Sequence, residues 1–322
     1  MEFGEFGIVL NLILLIIGFV LLVQSANVFV DASVGIARYL KVPTLVIGLT
    51  VVAMGTSTPE LVISVSAALG GNSSLAIANA VGSNLFNLLF IVGFCAMLYP
   101  ISVQTARITR DYWVSVAATV ALLILIYTFA GSAIPRLGGF MFLVGFAVYM
   151  LFVVRSAMKN RITEEADDED KTKQKPLWKN MVLAIISVVF IMGSGQLTVM
   201  SAIGIAEFMG VSERVIGLTI VSIGTSLPEL VTTIIACRKK EGEFAIGFII
   251  GSSIFNLMFV LGLAGAIMPL AVESSALFDI AVLTIGTLAF FFYAKSGQKL
   301  VRLEGFLMVL MYAGYMGFVL LM

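Results

Sequence analysis

Gly48-Leu-Thr-Val-Val-Ala-Met-Gly-Thr-Ser-Thr-Pro-Glu60 and, 169 residues further on, Gly217-Leu-Thr-Ile-Val-Ser-Ile-Gly-Thr-Ser-Leu-Pro-Glu229 are two copies of one motif. Without a gap, the same shift lays Gly82-Ser-Asn-Leu-Phe-Asn87 on Gly251-Ser-Ser-Ile-Phe-Asn256, and residues 48–93 are identical to residues 217–262 at 21 of 46 positions. The match runs backward as well, pairing Gly35-Ile36-Ala37 with Gly204-Ile205-Ala206. Self-similarity at one fixed offset marks an internal repeat.

Both copies sit in strongly apolar surroundings. Of 322 residues 60% are hydrophobic and 12% charged, with a mean hydropathy of +1.09, which is too little charge to cover a soluble surface. A bilayer-spanning helix needs about 20 mostly apolar residues. Gly, Pro and charge clusters divide the chain into spans near residues 7–37, 43–69, 74–98, 111–130 and 135–155, then 180–208, 212–237, 244–269, 275–294 and 301–321. The sequence therefore predicts an all-α polytopic membrane protein of ten transmembrane helices, with one five-helix repeat in residues 1–155 and a second in residues 180–322. Residues 156–179 join them; Glu164, Glu165, Asp167, Asp168, Glu169 and Asp170 followed by Lys171, Lys173 and Lys175 read as a solvated linker without the spacing of an EF-hand. The acidic N-terminus, Met-Glu-Phe-Gly-Glu-Phe, is unlike the basic start of a signal peptide, so the apolar segment behind it reads as a retained helix.

An odd number of spans per copy makes the second copy enter the membrane from the opposite side, so the expected architecture is a pair of inverted repeats with broken helices at the midplane. Allotting Lys and Arg to alternate sides of ten spans puts 17 of the 19 on one side and only Arg136 and Arg214 on the other. By the positive-inside rule both termini face outward and the linker is cytoplasmic in a multi-pass cell-membrane protein.

Histidine is absent, which removes Ser-His and Cys-His triads and His metal ligands. Cys95 and Cys237 lie in apolar stretches without CxxC spacing and read as buried free thiols. No Walker motif is present. The sequence predicts no enzyme, no cofactor, no nucleic-acid partner and no obligatory protein partner; membrane lipid is the surrounding medium.

The repeated motif carries the chemistry. Gly55 with Pro59, and Gly224 with Pro228, are expected to break their helices in mid-span, because proline lacks an N–H and crowds the preceding turn. Carbonyls from Ala53 to Thr56 are expected to lose intrahelical partners there, with Ser222 at the place of Ala53 in the second copy. Backbone groups left open within a membrane must be satisfied by protein or a polar cavity. A mid-membrane carboxylate costs about 2.5–3.5 kcal/mol even on the lenient insertion scale, and Glu60 and Glu229 incur that cost twice. Two such groups ~6 Å apart repel by roughly 3 kcal/mol at an effective dielectric of about 20, so an empty site recruits a proton or a cation. Ser83 and Asn87 share a helix face, as do Ser252 and Asn256, while Asn79 extends the face in the first copy only, Phe248 replacing it in the second. With Thr56, Ser57, Thr225 and Ser226 these make an all-oxygen site, the chemistry of hard cations such as Na⁺ and Ca²⁺. Two carboxylates balance one divalent or two monovalent ions, and exchange follows where the two occupancies exclude each other.

The paired Gly-Thr-Ser-x-Pro-Glu and Gly-Ser-x-x-Phe-Asn stretches resemble the two alpha-repeats of the sodium/calcium exchanger family, within the cation/calcium antiporters. The resemblance implies that Glu60 and Glu229 coordinate calcium, that Thr56, Ser57, Thr225 and Ser226 serve sodium and calcium sites, and that Ser83 and Ser252 flank them as sodium ligands. Asn87 and Asn256 match the central positions; many members carry Asp at one of these, where this chain has Asn at both. The expected function is a secondary antiporter exchanging Na⁺ for Ca²⁺ by alternating access, with H⁺- or K⁺-coupled exchange as the alternative within the class and a passive cation channel as the alternative outside it. Away from the motif, Asp31, about two turns from Arg38 on the same helix, is expected to make a local interfacial polar contact rather than to ligate an ion, and Glu207 and Glu213 to be solvated.

Overall fold

The structure, a computed structural model, describes residues 7–103, 105–128, 133–159, 175–210, 222–272 and 274–321. Most of the acidic linker, Glu213, Arg214 and the first part of the second motif lie outside these residues. α1 (Ile8–Leu40) is an unbroken apolar helix of 33 residues. At 1.5 Å per residue it is about 50 Å long, well beyond a hydrocarbon core of about 30 Å. It stops where Lys41 turns left-handed at φ 55 and Pro43 follows.

The next expected span is a chain of pieces: α2 (Thr44–Ile47), a π-helical stretch at Gly48–Val52, α3 (Ala53–Thr56) and α4 (Thr58–Leu69), with a 49° bend at the break. α5 (Ser73–Leu85), a second π stretch at Phe86–Ile91 and α6 (Val92–Leu98) then form one 26-residue helix. After β1 (Ile101–Ser102) come α7 (Thr105–Thr128), β2 (Ala133–Ile134) and α8 (Arg136–Lys159). The second half holds α9 (Leu177–Phe208), α10 (Ser222–Gly224), α11 (Leu227–Arg238) and α12 (Gly242–Ile254). It continues through a π stretch at Phe255–Val260 to α13 (Leu261–Ile267), β3 (Leu270–Ala271), α14 (Ser274–Gly297), β4 (Lys299–Leu300) and α15 (Arg302–Leu321).

The sequence offset reappears in the elements. α4 and α11, α5 and α12, the two π stretches that follow them, α6 and α13, β1 and β3, and α7 and α14 all begin and end 169 residues apart. The short strands pair across the halves, β1 antiparallel with β4 and β2 antiparallel with β3. Tyr149 donates to Asp111 between α8 and α7 at 3.1 Å, and Tyr315 donates to Asp279 between α15 and α14 at 3.0 Å.

Close packing in a membrane relies on small residues rather than on a hydrophobic drive between helices. α1 and α9 run antiparallel: Asn11 lies against Gly204, Gly18 against Ser194 and Thr198, and Gly35 against Asn180. Gly93 of α6 meets Gly305 of α15, and Gly139 of α8 meets Gly262 and Gly265 of α13. Along α12, Gly247 and Gly251 rest on the backbone of Leu45 and Leu49. Among the described residues seven helices are long and apolar enough to cross a bilayer, and the bent pair Thr44–Thr56 and Thr58–Leu69 makes an eighth. Of the remaining expected spans, the one near residues 212–237 falls partly outside the described residues. The last is the 20-residue α15, whose first turn carries Arg302 and Glu304.

The two glycines that open the Gly-Ser motif differ sharply in surroundings. A Cβ on Gly251 would come within 2.5 Å of the Leu49 carbonyl, whereas one on Gly82 would meet nothing within 4 Å. Gly251→Ala is therefore expected to destabilise the protein by roughly 1–3 kcal/mol, while Gly82→Ala leaves stability unchanged or raises it, alanine being the better helix former. Thermal unfolding in detergent checks the contrast.

Candidate functional site

The two helix breaks place the acidic side chains. Pro59 and Pro228 stand in the first turn of α4 and α11, where a missing N–H costs nothing. Glu60 and Glu229 occupy the same first turns, at the positive end of the helix dipole, which offsets part of the burial of a carboxylate. Both glutamates are fully buried. Ser57 and Ser226 occupy the breaks themselves.

Each serine serves the glutamate of the other half. Ser57 Oγ donates to Glu229 Oε1 at 3.3 Å, and Ser226 Oγ to Glu60 Oε1 at 3.5 Å. Ser57 Oγ also meets Ser252 Oγ at 2.8 Å, and Ser252 accepts from Asn87 Nδ2 at 3.3 Å. The Thr56 hydroxyl donates back to the Val52 carbonyl at 3.2 Å. Asn79 Nδ2 braces the first break by donating to the Glu60 carbonyl at 3.1 Å and to Ser64 Oγ at 2.8 Å. Thr225 precedes Ser226 in the second break, and Ser83 is buried on α5 in the position that Ser252 takes on α12. The Ser222 side chain lies outside the described residues.

The break differs in one respect from the sequence expectation. The Ala53 carbonyl does not lose its partner, because the Ser57 N–H reaches it at 3.1 Å. The helix continues one turn further than the motif suggests, and it is proline at 59 that deprives the Gly55 carbonyl of a donor four residues on. The Met54 carbonyl is met by the Thr58 hydroxyl at 3.1 Å.

The π stretches were not anticipated, and each takes in a central asparagine. Val92 N–H bonds back to Asn87 O, and Leu261 N–H to Asn256 O, five residues in each case. A π turn inserts an extra residue into the helix and is frequent at functional sites. On the two glutamates and the two central asparagines, four buried oxygens remain without a hydrogen-bond partner: Glu60 Oε2, Glu229 Oε2, Asn87 Oδ1 and Asn256 Oδ1. Orphaning a buried polar group costs about 1–3 kcal/mol, and more if it is charged. All four are acceptors, and the ion pairs at Arg38–Glu241, Arg110–Asp111 and Lys239–Asp31 leave out both glutamates. No group of three or more His, Cys, Asp or Glu occurs among the described residues. The centre is thus two carboxylates surrounded by neutral oxygens, a donor set that suits Na⁺ or Ca²⁺.

Sequence reasoning passed over Asn84 and Ser253, a repeat-equivalent pair next to the serines it singled out. Asn84 Nδ2 donates to the Ser253 carbonyl at 3.2 Å, and Asn84 Oδ1 accepts from Asn256 Nδ2 at 3.3 Å. The signal was present: Asn84 lies three residues before Asn87, on its helix face. At one end of the bundle, a cavity of about 690 Å³ is lined by Asp31, Arg38, Lys175, Asn180, Lys239 and Glu241. Asp31 does not pair there with Arg38; it bonds Lys239 at 2.6 Å, and Arg38 pairs with Glu241 at 3.7 Å, because the α11–α12 turn comes between them. Burial holds the Glu241 carboxyl above the usual range despite the neighbouring Arg38 guanidinium, which acts to lower it. Cys95 and Cys237 are free and buried.

A bundle of spanning-length apolar helices around an unpaired, doubly acidic, all-oxygen centre has the chemistry that a buried cation site in a membrane protein requires. The family model described as "Sodium/calcium exchanger protein" matches residues 10–155 and 179–321. "Putative antiporter CaxA" of Alkalimonas amylolytica is 36% identical over 311 residues, which cover 94% of this chain and 96% of that protein. "Sodium/calcium exchanger MaX1" of Methanosarcina acetivorans is 31% identical over 343 residues, covering 96% and 98%. A solved structure of the sodium-calcium exchanger NCX_Mj, soaked with 10 mM Na⁺ and zero Ca²⁺, superposes with a TM-score of 0.84 at 29% identity, covering 97% of this chain and 99% of that one. The chain belongs to the sodium/calcium exchanger family.

A cation that satisfies the orphaned oxygens stabilises the folded protein by mass action. Added Ca²⁺ is therefore expected to raise the Tm of the purified protein. Glu60→Gln and Glu229→Gln should each weaken that response roughly tenfold or more in Ca²⁺ concentration, since ligand charge sets Ca²⁺ affinity over decades, with Tm in the absence of ions unchanged or higher. A full Ca²⁺ response in either variant would exclude that glutamate from the site.

Proposed function

We propose that this protein is a secondary active antiporter that exchanges Na⁺ for Ca²⁺ across the cell membrane at the Glu60/Glu229 centre. The observation that carries the reading is the set of four buried, unpartnered acceptor oxygens on Glu60, Glu229, Asn87 and Asn256. Two carboxylates hold a net charge of −2, which one Ca²⁺ or two Na⁺ neutralise, so either occupancy displaces the other. In this reading Thr56, Ser57, Thr225 and Ser226 supply hydroxyls around the glutamates, Ser83 and Ser252 flank them, and backbone oxygens come from Ser222 and from Ala53, through the lone pair that its bond from the Ser57 N–H leaves unused. Gly55, Pro59, Gly224 and Pro228 keep the two helices broken.

The chain forms ten spans in two inverted five-helix repeats, residues 1–155 and 180–322, with residues 156–179 as the linker. Three observations support this: the constant displacement of 169 residues between paired elements, the antiparallel packing of α1 on its counterpart α9, and the strand pairs exchanged between halves. Inversion brings the two breaks to the midplane facing opposite ways, and alternating access exposes the shared centre to one side at a time. Both termini face outward and the linker is cytoplasmic, on the strength of the 17 to 2 distribution of Lys and Arg.

Purified protein in proteoliposomes is expected to take up Ca²⁺ against an outward Na⁺ gradient, and not on an H⁺ or K⁺ gradient alone. Uptake that follows the H⁺ gradient, or that requires K⁺ together with Na⁺, would move the reading to those couplings. Flux that persists without any counter-ion would make the protein a channel. Orientation is checked separately: a cysteine replacing exposed Lys159 should be shielded from an impermeant thiol reagent in intact cells, and one replacing exposed Met209 should be labelled. The opposite pattern would reverse the topology.

A further inference from the structure

Asn256 can act as an ion ligand only if its amide presents oxygen, not NH₂, to the cation. Neither glutamate fixes that choice, and an amide left to itself turns over easily. The neighbouring hydrogen bonds do fix it. The Ser253 carbonyl is an acceptor with nothing to donate, so the side chain of Asn84, at 3.2 Å from it, must turn Nδ2 that way. The other end of the Asn84 amide, Oδ1, then faces Asn256 and can only accept. Asn256 must answer with Nδ2, at 3.3 Å, which leaves its own Oδ1 buried and without a hydrogen-bond partner. Asn84 is itself fully buried, so no water competes for either end of the relay.

The first half is built differently. Asn87 presents a free Oδ1 because its Nδ2 is taken by Ser252 Oγ. The repeat-equivalent of Asn84 is Ser253, whose hydroxyl makes no hydrogen bond and is too short to reach across. One central asparagine is therefore oriented by a serine already in the site, and the other by a residue outside it.

We infer that Asn84 is a positioning residue for ion exchange: locked by the Ser253 carbonyl, it holds the Asn256 amide with the oxygen turned to the bound ion. The inference rests on reading the Glu60/Glu229 centre as the exchange site. It also assigns a reason for asparagine at position 256, since the residue there must both donate to Asn84 and accept the cation, which an ionised aspartate cannot do.

The test is a double-mutant cycle on Na⁺-driven Ca²⁺ uptake in proteoliposomes, with wild type, Asn84→Ser, Asn256→Ala and the double variant each titrated with Ca²⁺. Serine is the residue that the second half carries at this helix position, so the fold accommodates it. Asn84→Ser is expected to raise KM for Ca²⁺ roughly fivefold, the scale of one buried hydrogen bond, with the maximal rate within about twofold. In the Asn256→Ala background the same change should shift KM less than about twofold, because residues acting through one another are not additive. An unchanged KM in Asn84→Ser, or an equal rise in both backgrounds, overturns the inference. If Asn84→Ser is not recovered folded, Asn84→Ala goes through the same cycle. If wild type itself shows no Na⁺-driven uptake, the exchange reading fails, and the cycle is then read from the Ca²⁺-dependent rise in Tm, where the same two outcomes decide for or against Asn84.

Discussion

Two fully buried carboxylates, paired with no basic side chain among the described residues, set the terms for the rest of this molecule. Each glutamate has one oxygen satisfied by a serine from the opposite half and one left open. Helix N-termini soften the burial but cannot neutralise a net charge of two. The arrangement is stable only in company with something positive that is small enough to enter and loosely enough held to leave. A paired lysine or arginine would satisfy the acids permanently and end their usefulness, since a fixed partner makes burial affordable but blocks turnover. The basic residues stay instead at the ends of the bundle, where Lys239 and Arg38 pair with Asp31 and Glu241.

Bringing acids from two halves together requires backbones in close contact, and that follows from glycine placement. Gly247 and Gly251 lay α12 directly on residues 45–49, just ahead of the first break, and Gly48 answers by receiving the backbone of Phe244 and Phe248. These approaches leave no room for a Cβ, so the distance between the two motifs is set by main-chain contact rather than by adaptable side chains. That rigidity matters because the serine-to-glutamate bonds are long, at 3.3 and 3.5 Å, and a further shift would break them. The repeat is thus more than an evolutionary trace: it supplies each half with the serine that the other half needs.

Much of this was legible in the amino-acid order. The doubled Thr-Ser-x-Pro-Glu stretch located the breaks and both acids, because an intramembrane Glu beside a Pro has no packing rationale. The glycine, serine and asparagine of the following helix marked a polar face by their spacing alone. Three things were not readable. The π stretches depend on which carbonyl an amide chooses, four or five residues back, and both choices suit a mostly apolar stretch such as Phe86–Ile91. The Asp31–Lys239 and Arg38–Glu241 pairs join residues about 200 positions apart, which local spacing cannot disclose. Asn84 escaped notice because the repeat replaces it with serine, and a search for symmetry discounts whatever differs between copies.

The short strands have a consequence for biosynthesis. β1 pairs with β4 and β2 with β3, so Ile101 finds Leu300, and Ala133 finds Ala271, only across a long stretch of intervening chain. When the first half has left the ribosome, both of its strands are still single, α1 has no α9 to lie against, and Glu60 has no Ser226. The helices of the first half must therefore wait in the bilayer as a loose set, their polar centre open, until the second half arrives and closes around it. Translation rate and the insertion machinery, rather than local folding speed, then set how long that exposed intermediate persists.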